Sequence, residues 1–255
     1  MIVLALKILL APLLIATATL AGRRWGPAVS GWFIGFPIIS GPISITLAMQ
    51  DGPNFAGQAA VGMFGGQTAM CIFAATYILA ARKLNWWQSA ILGVSAFIAT
   101  VMIWRALALP LLPAFALLIG AIFVLSWLIP AQAVQIKGQV SPKWDLPARM
   151  VIAVIFVATL TGLSSVLGAQ LSGLISAFPV FGTILASFTH SQQGGQAAGQ
   201  LLRGTIVGSL GIASFYLVVS VFLPLTGSLW VYLPAAAASV VANVISIRFT
   251  RPRGA

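Results

Sequence analysis

The sequence predicts an all-α integral membrane protein with about nine transmembrane helices. Of the 255 residues, 60% are hydrophobic and only 6% are charged, so the chain lacks the charged surface that a soluble domain of this size needs. Apolar runs long enough to cross a bilayer follow one another with short breaks. The basic residues are concentrated in alternate connections, a pattern typical of multi-pass membrane proteins.

The length of each apolar run gives the predicted helices in order along the chain. Their ranges are 2–21, 26–49, 55–81, 86–104, 106–129, 148–164, 168–189, 196–223 and 228–247. The first run has only Lys7 near its start, and Arg23 and Arg24 follow it, so we expect a retained helix and not a cleaved signal peptide. The polar stretch 131–149 divides the chain into a first repeat (1–104), a connecting helix with a cytoplasmic linker (105–147) and a second, inverted repeat with a basic tail (148–255).

The net charge of +11 is explained by orientation in the membrane and not by nucleic-acid binding, because the basic residues are scattered between apolar runs. Positive residues stay preferentially on the cytoplasmic side, which predicts an external amino terminus and an internal carboxyl terminus. The connections that carry this charge contain Arg23 and Arg24, then Arg82 and Lys83, then Lys137, Lys143 and Arg149, and finally Arg248, Arg251 and Arg253.

Two halves of the chain can be aligned. Pro37 pairs with Pro179 at an offset of 142 (37 to 179), which lays "GPAVSG" over "GAQLSG". Beyond the next loop an offset of 138 (58 to 196) pairs Gln58 with Gln196, with four extra residues assigned to the first copy. Equivalent loops are basic in one half and uncharged in the other, as opposite orientations require. We therefore expect an inverted 4+4 repeat joined by a connecting helix.

Two related halves, each with a Gly/Pro-interrupted helix, resemble inverted-repeat, broken-helix secondary transporters as a class. The "GFP" and "AFP" helices, each followed by a Gly-Gln-Ala-Ala turn, are also similar to segments of bacterial multi-pass membrane proteins of unknown substrate. The resemblance implies a bacterial inner membrane and a substrate site near the bilayer midplane, where the halves meet. It names no specific family and transfers no functional residue.

Proline and glycine predict breaks in the second and seventh helices, because proline removes a backbone donor and clashes with the preceding turn. Freed carbonyls must then be satisfied by protein or by a water-filled cavity. The alternative is a plain kink with no site. The predicted hinge residues are Gly35, Pro37, Gly41 and Pro42 in the first half, and Pro179 and Gly182 in the second.

Polar residues that follow these breaks are the candidate substrate-binding groups. For the glutamines the alternative is hydrogen bonding between helices, and for the arginine it is snorkelling to the interface. The chain has only two acidic residues, both assigned to connections, so no buried carboxylate partner is expected for the arginine. The candidates are Ser40, Ser44, Gln50, Gln58, Thr183, Ser187, His190, Gln196 and Arg203.

These features predict a secondary transporter that moves a small, anionic or zwitterionic organic solute by alternating access. No nucleotide-binding or catalytic motif is present, and one cysteine and one histidine offer no metal cluster, so we expect no enzyme activity, cofactor, metal or nucleic acid. The expected partners are the solute and the lipid bilayer, with a second copy of the chain as a further candidate. The alternatives are a lipid-handling protein, a channel or an accessory membrane subunit.

Overall fold

The computed structural model describes residues 2–130, 142, 144–166 and 179–250. Within these ranges the chain is all-α, with short 3-10 turns at Leu229–Val231 and Ile247–Thr250. The α-helices are α1 (Ile2–Trp25), α2 (Pro27–Phe33), α3 (Ser40–Asp51), α4 (Pro53–Ala80), α5 (Trp86–Leu107), α6 (Leu111–Leu128), α7 (Asp145–Val166), α8 (Val180–Gln193), α9 (Gly195–Thr226) and α10 (Tyr232–Ser246).

Five helical stretches in these ranges are long and apolar enough to cross a bilayer: α4, α5, α6, α9 and Leu229–Ser246. Large apolar side chains such as Ile103, Leu112 and Trp127 are exposed on the outer helices. Such faces are stable against lipid but not against water, so the chain is a multi-pass membrane protein. The number of nine spans and the orientation remain predictions.

The helix bounds follow the apolar runs closely. The break predicted in the second helix is present, because α2 ends at Phe33 and α3 begins at Ser40. The assignment of Asp145 to a connection was wrong, because this residue begins α7. An acidic side chain is stabilising at the amino terminus of a helix. The first part of the predicted seventh helix, 168–178, and positions 131–141 and 143 of the linker lie outside the described residues.

Helices α4 and α9 form the centre of the fold and run antiparallel. Gly57 near the start of α4 packs on Pro224 near the end of α9, whereas Gly195 at the start of α9 packs on Ala81 just beyond α4. The fully buried core includes large side chains from both helices, namely Phe64, Phe73, Tyr77, Leu201, Leu202 and Ile206.

Glycines bring α2 into backbone contact with α9. A Cβ atom at Gly31 would meet the Leu201 carbonyl, and one at Gly204 would meet the Ala28 carbonyl. Small residues at helix crossings allow this close approach in membranes. The crossing fixes the start of the interrupted segment 34–39 against α9.

Candidate functional site

Two glycines act as hinges between helices. Gly52 joins α3 to α4 with φ 91° and ψ 164°, and Gly194 joins α8 to α9 with φ 88° and ψ 169°. This backbone conformation is essentially restricted to glycine. Below, these junctions are called the Gly52 hinge and the Gly194 hinge.

A cavity of about 450 Å³ opens beside the Gly194 hinge. This volume lies in the range of small-molecule sites in proteins. We call it the hinge cavity; its walls are Ile78, Ala81 and Arg82 at the end of α4, Ile129 and Pro130 beyond α6, and Gly195, Gln196, Gly199 and Gln200 on α9.

Gln200 is the polar group most firmly held in the hinge cavity. The residue is only 6% exposed, and its side chain makes no hydrogen bond to another residue in the described ranges. Because Gln200 lines the cavity, its amide is available to a ligand or to water. Gln196, one turn earlier, is exposed and lines the same cavity.

The hinge cavity has a positive character. The first turn of α9 has amide groups without intrahelical acceptors and no side-chain cap, and a helix amino terminus attracts anions. Arg82 adds a full charge at the wall, and none of the lining residues in the described ranges is acidic. The arrangement suits a carboxylate or another anionic group.

Arg203 lies one turn beyond Gln200 and is 6% exposed. Its Nε donates to the Ile129 carbonyl at 2.6 Å, so the guanidinium holds the end of α6 against α9. The charge therefore sits inside the protein next to the cavity wall.

The break between α2 and α3 is held by a residue that sequence reasoning missed. Asn243 on α10 donates from Nδ2 to the Gly35 carbonyl at 3.2 Å, and its own carbonyl accepts from Trp32 Nε1 at 3.2 Å. A carbonyl exposed by the break is thereby satisfied within the protein. A lone asparagine in an apolar helix was the available signal, since such residues hydrogen-bond across membrane helices.

The other predicted hinge residues lie at the break before α3 and at the start of α8. Pro37 is within the interrupted segment, and Gly41 and Pro42 are in the first turn of α3. Pro179 directly precedes α8, and Gly182 in its first turn packs on Met70.

The predicted polar residues of α3 contact tyrosines and not the hinge cavity. The Ser44 hydroxyl lies 2.9 Å from the Tyr232 hydroxyl, and the Ser40 side chain lies near that of Tyr216. These pairs tie α3 to α10 and α9. Gln50, at the end of α3, is exposed.

The predicted polar residues of α8 also face a tyrosine. His190 Nδ1 lies 3.3 Å from the Tyr77 hydroxyl, and the Ser187 side chain lies near the same tyrosine. Thr183 donates to the Pro179 carbonyl at 2.8 Å. The predicted candidates therefore fall into separate groups, and only Gln196 lines the hinge cavity; Gln58 is exposed on α4.

A charged cluster lies on the other flank of the Gly194 hinge. The buried Asp145 carboxylate accepts from Arg23 Nη2 at 2.8 Å, from Arg149 Nε at 2.9 Å and from Gln192 Nε2 at 2.6 Å. We call these residues the Asp145 cluster. Burial acts to raise the pKa of Asp145, but the hydrogen bonds from Arg149, Gln192 and Arg23 and the charge of Arg149 hold that pKa below its usual range.

Comparisons with models of protein families, with curated proteins and with solved structures find no significant match to this chain.

Proposed function

We propose that the protein is a secondary transporter of a small organic solute that carries a carboxylate or another anionic group, and that the hinge cavity binds it. The observation that carries this proposal is Gln200, a residue only 6% exposed that lines a cavity of about 450 Å³ and whose side chain bonds no other residue in the described ranges. The first turn of α9, with Arg82 beside it, supplies the positive potential for the anionic group. Gln200 and Gln196 then hydrogen-bond its polar atoms.

The two halves of the chain can be aligned at one offset of 142 residues throughout, and an inverted repeat of this kind supports transport by alternating access. The Gly52 and Gly194 hinges share one backbone conformation at this spacing (52 to 194). Continuing it lays "AGQ" at 56–58 over "AGQ" at 198–200, with no inserted residues. We therefore replace the offset of 138 for this part of the chain, so Gln58 corresponds to Gln200 and not to Gln196.

A contact between equivalent residues supports the inverted relation of the two halves. Gln67 Nε2 donates to Ser209 Oγ at 2.6 Å, and these residues are 142 apart. Two equivalent residues contact each other when both lie next to a two-fold axis. Two helices related by a two-fold axis perpendicular to both of them are antiparallel. Helices α4 and α9 are antiparallel about this contact. An axis of this kind in the membrane plane is the symmetry of many secondary transporters.

The difference between the surroundings of Gly199 and Gly57 favours a state that is open on one side of the membrane only. At the Gly194 hinge the cavity adjoins Gly199, whose nearest side chain, that of Ile78, is at ordinary van der Waals distance. At the equivalent position, Gly57 is covered by Pro224. Exchange of these two arrangements would close the first side and open the second. With Arg82 on the cytoplasmic side, the open side faces the cytoplasm.

Uptake into proteoliposomes tests this function, with labelled carboxylic acids and amino acids as the panel. We expect saturable uptake of at least one compound. Gln200→Ala should weaken it at least tenfold, because a hydrogen bond to a charged group contributes about 1.5–3 kcal/mol. Thr17→Val, which changes an exposed hydroxyl on α1 away from the hinge cavity, is the control and should transport normally.

Three results would contradict the proposal. One is the absence of saturable uptake across the panel in a folded wild-type protein, and another is an equal loss of uptake in Gln200→Ala and Thr17→Val. The third is non-saturating conductance or movement of lipid headgroups in place of uptake, which would favour a channel or a lipid-handling protein.

A further inference from the structure

A second, smaller cavity lies where α1, α2, α7 and α8 meet. Its volume is about 20 Å³, enough for one body the size of a water molecule or a monatomic ion. Thr19 and Arg23 line it from α1, Ser30 from α2, Arg149 from α7 and Gln193 from α8. This cavity is separate from the hinge cavity, and the inference below does not depend on transport.

The cavity contains a buried hydroxyl without a partner. Thr19 is 5% exposed, and its Oγ1 makes no hydrogen bond in the described part of the chain. A threonine in a helix commonly donates to the carbonyl of the preceding turn, as Thr17 does to Leu13 at 2.9 Å. Thr19 therefore brings an unused hydroxyl donor to the wall of the cavity, which it shares with the buried Ser30.

The charges around this cavity do not cancel. Arg23 and Arg149 contribute two positive charges, and Asp145 contributes one negative charge. Each guanidinium uses one nitrogen for Asp145, although arginine has five N–H donors. Both Asp145 oxygens already accept hydrogen bonds, so donors are in excess beside the cavity.

We propose that this cavity binds one monatomic anion, of which chloride is the physiological example. The Thr19 and Ser30 hydroxyls donate to it, and Arg23 and Arg149 supply the compensating charge. The volume excludes an organic carboxylate. Bound there, the anion links α1, α2, α7 and α8 and adds to the stability of the folded protein.

The steric design of the site depends on Gly22. A Cβ atom at this position would lie 2.8 Å from Ser30 Cβ, which is closer than side chains tolerate. Glycine therefore lets α1 and α2 approach, so that Thr19 and Ser30 face the same small space.

The test is thermal unfolding of the purified full-length protein in detergent, with chloride replaced by gluconate at constant ionic strength. We expect the midpoint Tm to rise with chloride and to saturate, and bromide to act in the same way. Thr19→Val should lower the apparent chloride affinity about tenfold, the usual loss for one charge-assisted hydrogen bond. Thr17→Val, which alters an exposed threonine two residues away, should respond like the wild type.

Equal Tm values in chloride and gluconate for the wild type would overturn the proposal and leave water as the occupant. A chloride response in Thr19→Val equal to that of Thr17→Val would also overturn it. If Thr19→Val fails to fold, crystals of the wild type soaked in bromide decide the matter. An anomalous peak beside Thr19 supports the site, and a peak only elsewhere contradicts it.

Discussion

The Gly52 hinge and the Gly194 hinge have nearly the same backbone dihedrals but different surroundings. At Gly194, the preceding Gln192 bonds the buried Asp145, and the following Gln196 and Gln200 line a cavity. At Gly52, the preceding Asp51 and the nearby Gln58 are exposed. Glycine thus allows the same backbone conformation at both positions, whereas tertiary contacts give each junction a different environment.

Removing the carboxylate beside the Gly194 hinge should have the largest effect. Asp145→Asn leaves the side chain of Arg149, 4% exposed, without its ionic partner, and breaking such a buried pair costs about 3–5 kcal/mol. Asp51→Asn is the matched control at the other hinge and should change stability by less than about 0.5 kcal/mol. Denaturant unfolding in micelles measures both, and similar values for the two variants would refute the comparison.

Substituting the hinge glycines should have the next largest effect, and the effect should be the same in both. Gly52→Ala and Gly194→Ala force alanine to a φ near +90°, which costs about 1–3 kcal/mol. Gly120→Ala, in the exposed middle of α6 with no neighbour within 4 Å in the described chain, is the control and should be neutral or slightly stabilising. Unfolding free energies that differ widely between the two hinge variants would show that the hinges are not equivalent.

The third comparison concerns the two sides that we propose to be closed and open. Gly57→Ala drives a Cβ atom into the rigid Pro224 ring, whereas Gly199→Ala meets only Ile78 at 3.7 Å. Overpacking typically costs about 1–3 kcal/mol, and helix propensity returns part of it. We expect a lower Tm for Gly57→Ala and an almost unchanged Tm for Gly199→Ala, and the reverse order would contradict the open and closed assignment.

The smallest expected effect is on the pH dependence of stability. The folded-state pKa of Asp145 lies below its unfolded value, so the contribution of the Asp145 cluster is complete above an unfolded pKa of about 4. It is lost as the pH falls through the folded pKa. The midpoint of thermal unfolding should therefore fall below about pH 4 in the wild type but not in Asp145→Asn. If Asp145→Asn shows the same fall, other groups cause it.

The sequence was informative where a local rule decides the structure. Apolar length predicted the helices, and Gly35 with Pro37 marked the segment where α2 and α3 are separated. These features depend on residues close together in the chain. They needed no knowledge of which helices pack against each other.

The hinge cavity and the Asp145 cluster could not be predicted in this way. Asp145 is 122 residues from Arg23, and Ile129 is 74 residues from Arg203, so both contacts arise from packing. Gln200 was missed because the offset of 138 paired Gln58 with Gln196. The matching "AGQ" triplets at an offset of 142 were the signal that pointed to it.

The central claim, that the two halves are inverted in the membrane, is tested most directly by labelling two equivalent positions. In a Cys71→Ala background, which removes the only native cysteine, Lys83→Cys and Leu225→Cys introduce single thiols 142 residues apart (83 to 225). Both positions are exposed. With a membrane-impermeant maleimide we predict that Leu225→Cys is labelled in intact cells and Lys83→Cys only in inside-out vesicles. Labelling of both thiols from the same side would contradict the account.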